Sequence, residues 1–97
     1  MRVIFRKFKD GDVIALFPGV PWTNSPYSVM SYMHVGQHGD ASPELVGDTH
    51  PATAEEYAPL LSELKRLDYD DLTVAKRFTQ KDFEERRAQC ETNLTAE

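Results

Sequence analysis

The stretch "VIFRKFKDGDVIALF", residues 3–17, decides the fold prediction because a turn signal separates two β-rich runs. Asp10-Gly11 is a favoured two-residue hairpin turn, in which both central residues take positive φ. The pattern predicts strands at residues 2–9 and 12–17, with Lys9 opposite Asp12. The unbroken apolar run at the end of the second strand indicates a central strand covered on both faces.

A loop and further strands are predicted after this hairpin. The segment "PGVPWTNSPYS", residues 18–28, contains three prolines and predicts a loop of about ten residues, a length that in compact domains often accompanies function. The alternating segment that follows predicts a third strand at about residues 28–37, which runs into a turn cluster. "PELVGDT", residues 43–49, is expected to form a short edge strand, because Pro43 cannot donate to a ladder.

Two helices are predicted in the second half of the chain. "TAEE" is a capping-box sequence in which Thr53 caps a helix and Glu56 reaches back. Apolar residues then recur at helical spacing: Tyr57, Leu60, Leu61, Leu64 and Leu67. Pro59 lies past the first turn and is expected to bend this helix or delay its start.

A further strand is predicted between the helices, at residues 72–78. Thr79 with Asp82 resembles a second helix start, and it opens a predicted helix over residues 80–94. The order βββ(β)αβα therefore indicates a single α+β domain over residues 1–94, with an antiparallel meander sheet of four or five strands, two helices and a frayed tail at residues 95–97.

Composition narrows the functional class. The chain has 97 residues and a net charge of −5, which fits one domain with one modest core. Residues 41–97 carry seven basic and thirteen acidic residues, a balance that disfavours duplex DNA and suits a basic protein surface. No apolar run approaches the ~20 residues of a membrane helix, and "MRVIFRKFK" lacks a signal-peptide pattern, so a cytoplasmic location is expected.

The histidines of "SYMHVGQHGDAS", residues 31–42, raise the question of a metal site. On one strand His34 and His38 would stand about 13 Å apart at roughly 3.3 Å per residue. That separation is too large for two ligands of one zinc ion. His50 is separated from both by Gly and Pro signals. The sequence therefore predicts no metal, and it implies no cofactor.

Catalytic constellations are missing from the sequence. Cys90 has acidic neighbours that would not lower its pKa, no serine has the flanking glycines of a nucleophile elbow, and "GQHGDAS" lacks the lysine of a P-loop. A non-enzymatic role is favoured for these reasons. A small hydrolase using His34 and His38 is kept as a further alternative.

A binding surface is the favoured interpretation of the aromatic and imidazole side chains. Such groups can stack on a base, while Arg6, Lys76 or Arg77 meets phosphate. The competing interpretation is that Met30 and Tyr32 belong to the core and that Trp22 packs down. The predicted binding residues are Trp22, Tyr27, Tyr32, His34, Gln37, His38 and Arg77.

A resemblance adds context. At residues 3–23, at "SYMHVGQHGDAS", and at "PATAEEYAPLLSELKRLDYDDLTVAKR", residues 51–77, the chain resembles small uncharacterised proteins of phages and mobile elements of gut bacteria. "YMHVGQH" is the most distinctive part. The resemblance implies no catalytic residue. It implies a setting in which small proteins serve host takeover or inhibit bacterial defence, either by binding a protein, as anti-CRISPR proteins do, or by sequestering a nucleotide signal.

The leading hypothesis is therefore a non-enzymatic cytoplasmic binding protein of phage or mobile-element origin that occupies a host protein or signalling ligand. The first alternative is an accessory module that binds a nucleotide or single-stranded nucleic acid. An exposed strand edge and the doubly apolar second strand also predict self-pairing as a homodimer.

Overall fold

The computed structural model describes residues 1–22, 25–33, 37–67, 69 and 71–95, with the backbone alone for residues 37, 38, 40 and 92–95. A short 3-10 helix, Pro43–Asp48, lies between the fourth and fifth strands. The strands and α-helices in chain order are β1 Arg2–Lys7, β2 Val13–Phe17, β3 Val29–Met33, β4 Gln37–Ala41, β5 His50–Pro51, α1 Ala54–Arg66, β6 Thr73–Ala75 and α2 Gln80–Thr95.

One sheet contains all six strands. Its order is β4-β3-β2-β1-β5 with antiparallel neighbours, and β6 joins β1 in parallel. The outer edge of β1 is shared, since β6 pairs with residues 2–4 and β5 pairs with residues 6 and 7. The predicted α+β class is confirmed. The strand after α1 joins the sheet in parallel with β1, which a helical connection makes possible.

The first hairpin is confirmed, but its turn is longer by one residue than predicted. Phe8 and Asp12 close the loop, with Phe8 N–H donating to the Asp12 carbonyl at 2.8 Å, and Gly11 N–H donates to the Phe8 carbonyl at 3.0 Å. Lys9 therefore belongs to a three-residue turn and does not lie opposite Asp12. Gly11 has φ +97°, as predicted, whereas Asp10 does not have positive φ. This is the type I turn with a glycine bulge that suits three-residue hairpins.

The predicted third strand over residues 28–37 is wrong at its end. β3 stops at Met33, and residues 37–41 form the separate antiparallel strand β4, which pairs Val29 with Ala41 and Met33 with Gln37. The predicted turn cluster is thus a strand.

The predicted edge strand at residues 43–49 is a 3-10 helix instead. The Ser42 hydroxyl accepts a hydrogen bond from Glu44 N–H at 3.2 Å, and Pro43 occupies the first helical position. Serine as N-cap followed by proline is a helix-start signal, because that proline's missing N–H would have no helical partner anyway.

Apolar side chains cover both faces of the sheet, as predicted for the central strand β2. Ala15 and Phe17 lie on the α1 face, and Ile14 and Leu16 lie on the opposite face. The buried residues of the α1 face are Val3, Phe5, Ala15, Phe17, Tyr32, Leu60 and Leu64. Those of the opposite face are Ile4, Ile14, Leu16 and Val29, with Leu45, Val46 and Phe78 among the side chains packed against them.

Helix α1 begins at Ala54 with the predicted capping box. Thr53 Oγ1 accepts from Glu56 N–H at 3.3 Å, and Glu56 Oε1 accepts from Thr53 N–H at 2.9 Å. Pro59 lies inside the helix and does not delay its start, and the alternative expectation of a bend stays a prediction. This proline removes a single hydrogen bond to the Glu55 carbonyl, and both residues lie on the exposed side, where water can replace that bond.

Helix α2 begins with the second predicted cap. Thr79 Oγ1 accepts from Asp82 N–H at 3.2 Å, and Asp82 Oδ2 accepts from Thr79 N–H at 2.8 Å. The Asp82 carboxylate, only 1% exposed, also pairs with Arg2 on β1, whose Nε lies 2.9 Å from Oδ1. The buried face of α2 continues at Arg86 and Cys90, so it is mainly polar rather than a thin apolar stripe.

Strand β4 is the last strand on its side of the sheet among the described residues. The predicted homodimer requires an exposed strand edge of this kind, and pairing of two copies stays a prediction. Across the described residues, no helix combines the length and the apolar character that a membrane span needs.

Candidate functional site

Of the predicted binding residues, Trp22 and Tyr27 lie at the opposite end of the sheet from Gln37 and His38. Residues 18–28 connect β2 to β3 at the end where Val29 pairs with Ala41. Gln37 and His38 lie at the other end, with the backbone of His38 opposite Tyr32. The five residues of β3 separate the two ends by about 13 Å. The structure therefore does not bring Trp22 and Tyr27 together with Gln37 and His38.

Tyr32 belongs to the core. Its residue is 1% exposed, and its hydroxyl donates to Glu63 Oε1 on α1 at 2.5 Å. The ring packs among the residues of the α1 face. A buried ring held in this way does not offer a stacking face to a ligand. Tyr32 is therefore a core residue, as the competing interpretation expected.

The described residues do not test whether His34 and His38 are too far apart to share a metal ion. His34 lies outside the described residues, and of His38 only the backbone is described. His38 belongs to β4 and not to β3, which ends at Met33. Among the described residues no group of three metal-ligating side chains comes together. The prediction that His34 and His38 share no metal stays a prediction, as does the hydrolase alternative that depends on them.

Arg77 lies beyond β6 and is remote from β3, because β1 and β2 stand between those strands. Its carbonyl accepts a hydrogen bond from Arg2 Nη2 at 2.6 Å, and its residue is exposed. Its neighbour in the chain, Phe78, packs beside α2, with 5.8 Å between the Phe78 ring centre and Arg86 Cζ.

The aromatic loop is fastened to α2 by a buried guanidinium. Arg86 is 4% exposed, and its Nη1 donates to the Pro18 carbonyl at 2.6 Å while Nε donates to the Pro26 carbonyl at 2.9 Å. Its Cζ lies 5.4 Å from the centre of the Phe83 ring and 5.8 Å from that of Phe78, which is cation–π distance. One side chain therefore holds both ends of the loop.

The charge of Arg86 is compensated within α2. Burial lowers the pKa of its guanidinium, and the carboxylate of Asp82, one turn earlier, opposes that shift. An arginine stays protonated under such conditions, because its ordinary pKa lies far above neutral pH. The loop is therefore held by charge-assisted hydrogen bonds, which are stronger than neutral ones.

Contacts inside the loop add to this attachment. The Ser28 hydroxyl lies 3.3 Å from the Trp22 carbonyl and 3.4 Å from that of Ser25. The Glu85 side chain of α2 lies against Gly19, since a Cβ at this position would stand 2.6 Å from Glu85 Oε2. Backbone bonds, side-chain bonds and close packing together define the loop conformation.

Tyr27 is presented to solvent by this arrangement. Its residue is 75% exposed, although its ring centre lies only 6.0 Å from that of Phe83. Trp22 is partly buried. We call Trp22, Tyr27 and Phe83 the aromatic loop surface. Its chemistry suits the contact of an apolar or aromatic group on a partner, and the described side chains there include no acid–base pair.

The sequence missed the residue that organises this surface. Arg86 is not among the predicted binding residues, yet it is the centre of the attachment. The available signal was the four-residue spacing from Asp82 to Arg86, which places opposite charges on one helix face. Such pairs are usually solvated, so the spacing does not distinguish a buried arginine from an exposed one.

Comparison of the chain with protein-family models, with curated proteins and with solved structures found no match.

Proposed function

We propose that the protein is a non-enzymatic binding protein that acts by occupying a protein partner through the aromatic loop surface. The observation that carries the proposal is the attachment of the loop by Arg86, with Tyr27 75% exposed beside it. An aromatic side chain held before binding loses little conformational entropy on contact, so more of its contact energy contributes to affinity.

The partner surface that fits best is basic with an apolar depression. The chain carries a net charge of −5, and the Glu85 carboxylate lies against the loop at Gly19. A tyrosine that enters an apolar depression, surrounded by charges of opposite sign, is a common anchor of protein interfaces. Binding should therefore weaken as salt concentration rises.

The biological setting is part of the proposal. The resemblance to small proteins of phages and mobile elements supports a host protein in the bacterial cytoplasm as the partner. Occupation of that protein would serve host takeover or inhibition of a defence system.

Affinity capture tests the proposal. Purified wild-type protein, Tyr27→Ala and Leu67→Ala are each immobilised and exposed to a lysate of a gut bacterium. Leu67 is a matched control, because it is an exposed apolar residue (47%) at the end of α1. We expect one host protein to be retained by the wild type and by Leu67→Ala but lost with Tyr27→Ala. Equal retention by all three would contradict the assignment of this surface.

A further inference from the structure

A cleft lies at the outer edge of β1, at the end of the sheet farthest from β4. Strand β6 pairs with β1 as far as Ile4, and β5 resumes the pairing at Arg6. Phe5 stands between them, and its carbonyl accepts from Ala52 N–H at 3.2 Å. The cleft between the two short strands and the start of α1 has a volume of about 380 Å³.

Apolar groups form most of the cleft lining. Phe5 and Tyr57 are both lining residues, and their rings are stacked with centres 4.5 Å apart and planes 11° apart. Val74 on β6 also lines it and is 40% exposed. A volume of this size lies at the lower end of the range of small-molecule sites.

The charged residues of the lining are both cationic. Arg6 and Lys76 line the cleft, and no carboxylate does, although the whole chain is acidic. Lys76 is exposed, so its ammonium can turn toward a ligand. The nearby Glu56 carboxylate is already paired with Lys7.

The guanidinium of Arg6 is buried without a compensating carboxylate in the described part of the chain. The residue is 7% exposed, and its Nε donates to Thr49 Oγ1 at 2.9 Å. Its Nη2 donates to the carbonyls of Val46 and Thr49 at 2.7 and 2.6 Å. All three acceptors are neutral, so the bonds fix the side chain but leave its charge in place, and a buried charge is weakly screened.

We infer that this cleft binds a small organic anion with an aromatic body. The apolar body would lie against Tyr57 and Val74, and the anionic group would meet the ammonium of Lys76. The guanidinium of Arg6, bonded to Val46 and Thr49 on the opposite face of the sheet, would add a positive field at longer range. The site is separate from the aromatic loop surface, because it uses β1, β5, β6 and α1 rather than α2 and the loop. It therefore does not depend on the proposed protein partner.

Amide-resolved NMR titration tests this inference with two aromatic anions, naphthoate and adenylate, and their neutral counterparts, naphthamide and adenosine. We expect at least one anion to shift the amides of Ala52, Val74 and Ala75, and to bind more tightly than its neutral counterpart. Binding of naphthoate alone would identify a carboxylate ligand, and binding of adenylate alone a phosphate ligand.

Three variants make the titration specific to the cleft. Lys76→Gln should weaken anion binding about tenfold, because a charge-assisted contact is lost. Val74→Phe should block binding by filling the cleft. Lys65→Gln, which removes the same charge from the far end of α1, should bind as the wild type does. The inference is overturned if neither anion shifts these amides, if neutral counterparts bind equally well, or if Lys76→Gln and Val74→Phe both leave binding unchanged.

Discussion

Arg86 Nη1 donates a hydrogen bond to the carbonyl of Pro18 at 2.6 Å, across 68 residues of sequence. The same guanidinium reaches the carbonyl of Pro26, at the other end of the loop. Helix α2 and the loop between β2 and β3 are thereby joined into one structural unit. The exposure of Tyr27 is a consequence of that unit rather than of a mobile segment.

Removal of this guanidinium should destabilise the protein. Arg86→Ala leaves two carbonyl acceptors without their donors and removes packing from Phe83, so we expect a loss of roughly 2–4 kcal/mol in the free energy of unfolding. Urea denaturation measures this value. Arg87→Ala is the matched control, because its ion pair with Glu91 is exposed, and a change of about 0.5 kcal/mol or less is expected there. Equal effects of the two substitutions would show that Arg86 does not hold the loop.

The cap of α1 should make stability depend on acid pH. Hydrogen bonds from Lys7 and from the backbone of Thr53 lower the pKa of Glu56 from 4.5 to about 2. A carboxyl group with a lowered pKa in the folded state stabilises the fold above pH 4.5, and this contribution is lost as pH falls toward about 2. Melting temperatures of wild type and Glu56→Gln should therefore differ near neutral pH and converge in acid. Glu55→Gln serves as the control, and a constant difference for Glu56→Gln at every pH would refute the coupling.

The glycine of the first turn should tolerate few replacements. Gly11 has φ +97°, a region that β-branched residues resist. Gly11→Val should cost on the order of 1–2 kcal/mol, and Gly11→Asn should cost less, because asparagine enters this region more readily. A Cβ at Gly11 would meet no atom within 4 Å, so a lower melting temperature of Gly11→Val than of Gly11→Asn would report backbone strain and not a steric clash. Equal melting of Gly11→Val and wild type would show that the turn does not require positive φ.

The α1 face of the core should be sensitive to cavities. Leu64 is fully buried, and Leu64→Ala should destabilise by roughly 2–5 kcal/mol. Leu67→Ala, one turn later and 47% exposed, should change stability by about 0.5 kcal/mol or less. Chemical denaturation of the pair measures the difference, and similar losses at both positions would argue against the packing of α1 on the sheet.

Local signals predicted the parts of the fold that depend on neighbouring residues. Thr53 with Glu56, and Thr79 with Asp82, start the two helices because each cap is completed within four residues. The Asp-Gly signal placed the first hairpin correctly. It did not fix the length of the turn, because Gly11 serves both two-residue and three-residue turns.

The remaining features depend on contacts between distant residues. Strand β4 was interpreted as a turn because its composition contains turn formers, and pairing with β3 outweighs that preference. Arg86 was missed because its acceptors lie 60 and 68 residues away. The cleft was missed for a similar reason, since Arg6 and Lys76 meet only where β5 and β6 share one edge of β1.

The affinity of the captured host protein for Tyr27→Ala tests the central claim most directly. Titration calorimetry compares wild type, Tyr27→Ala and Leu67→Ala after their melting temperatures have been shown to agree. The account predicts that Tyr27→Ala weakens binding by about 2 kcal/mol or more, which is roughly a thirtyfold rise in Kd, while Leu67→Ala binds as the wild type does. Equal affinity of Tyr27→Ala and wild type would contradict it.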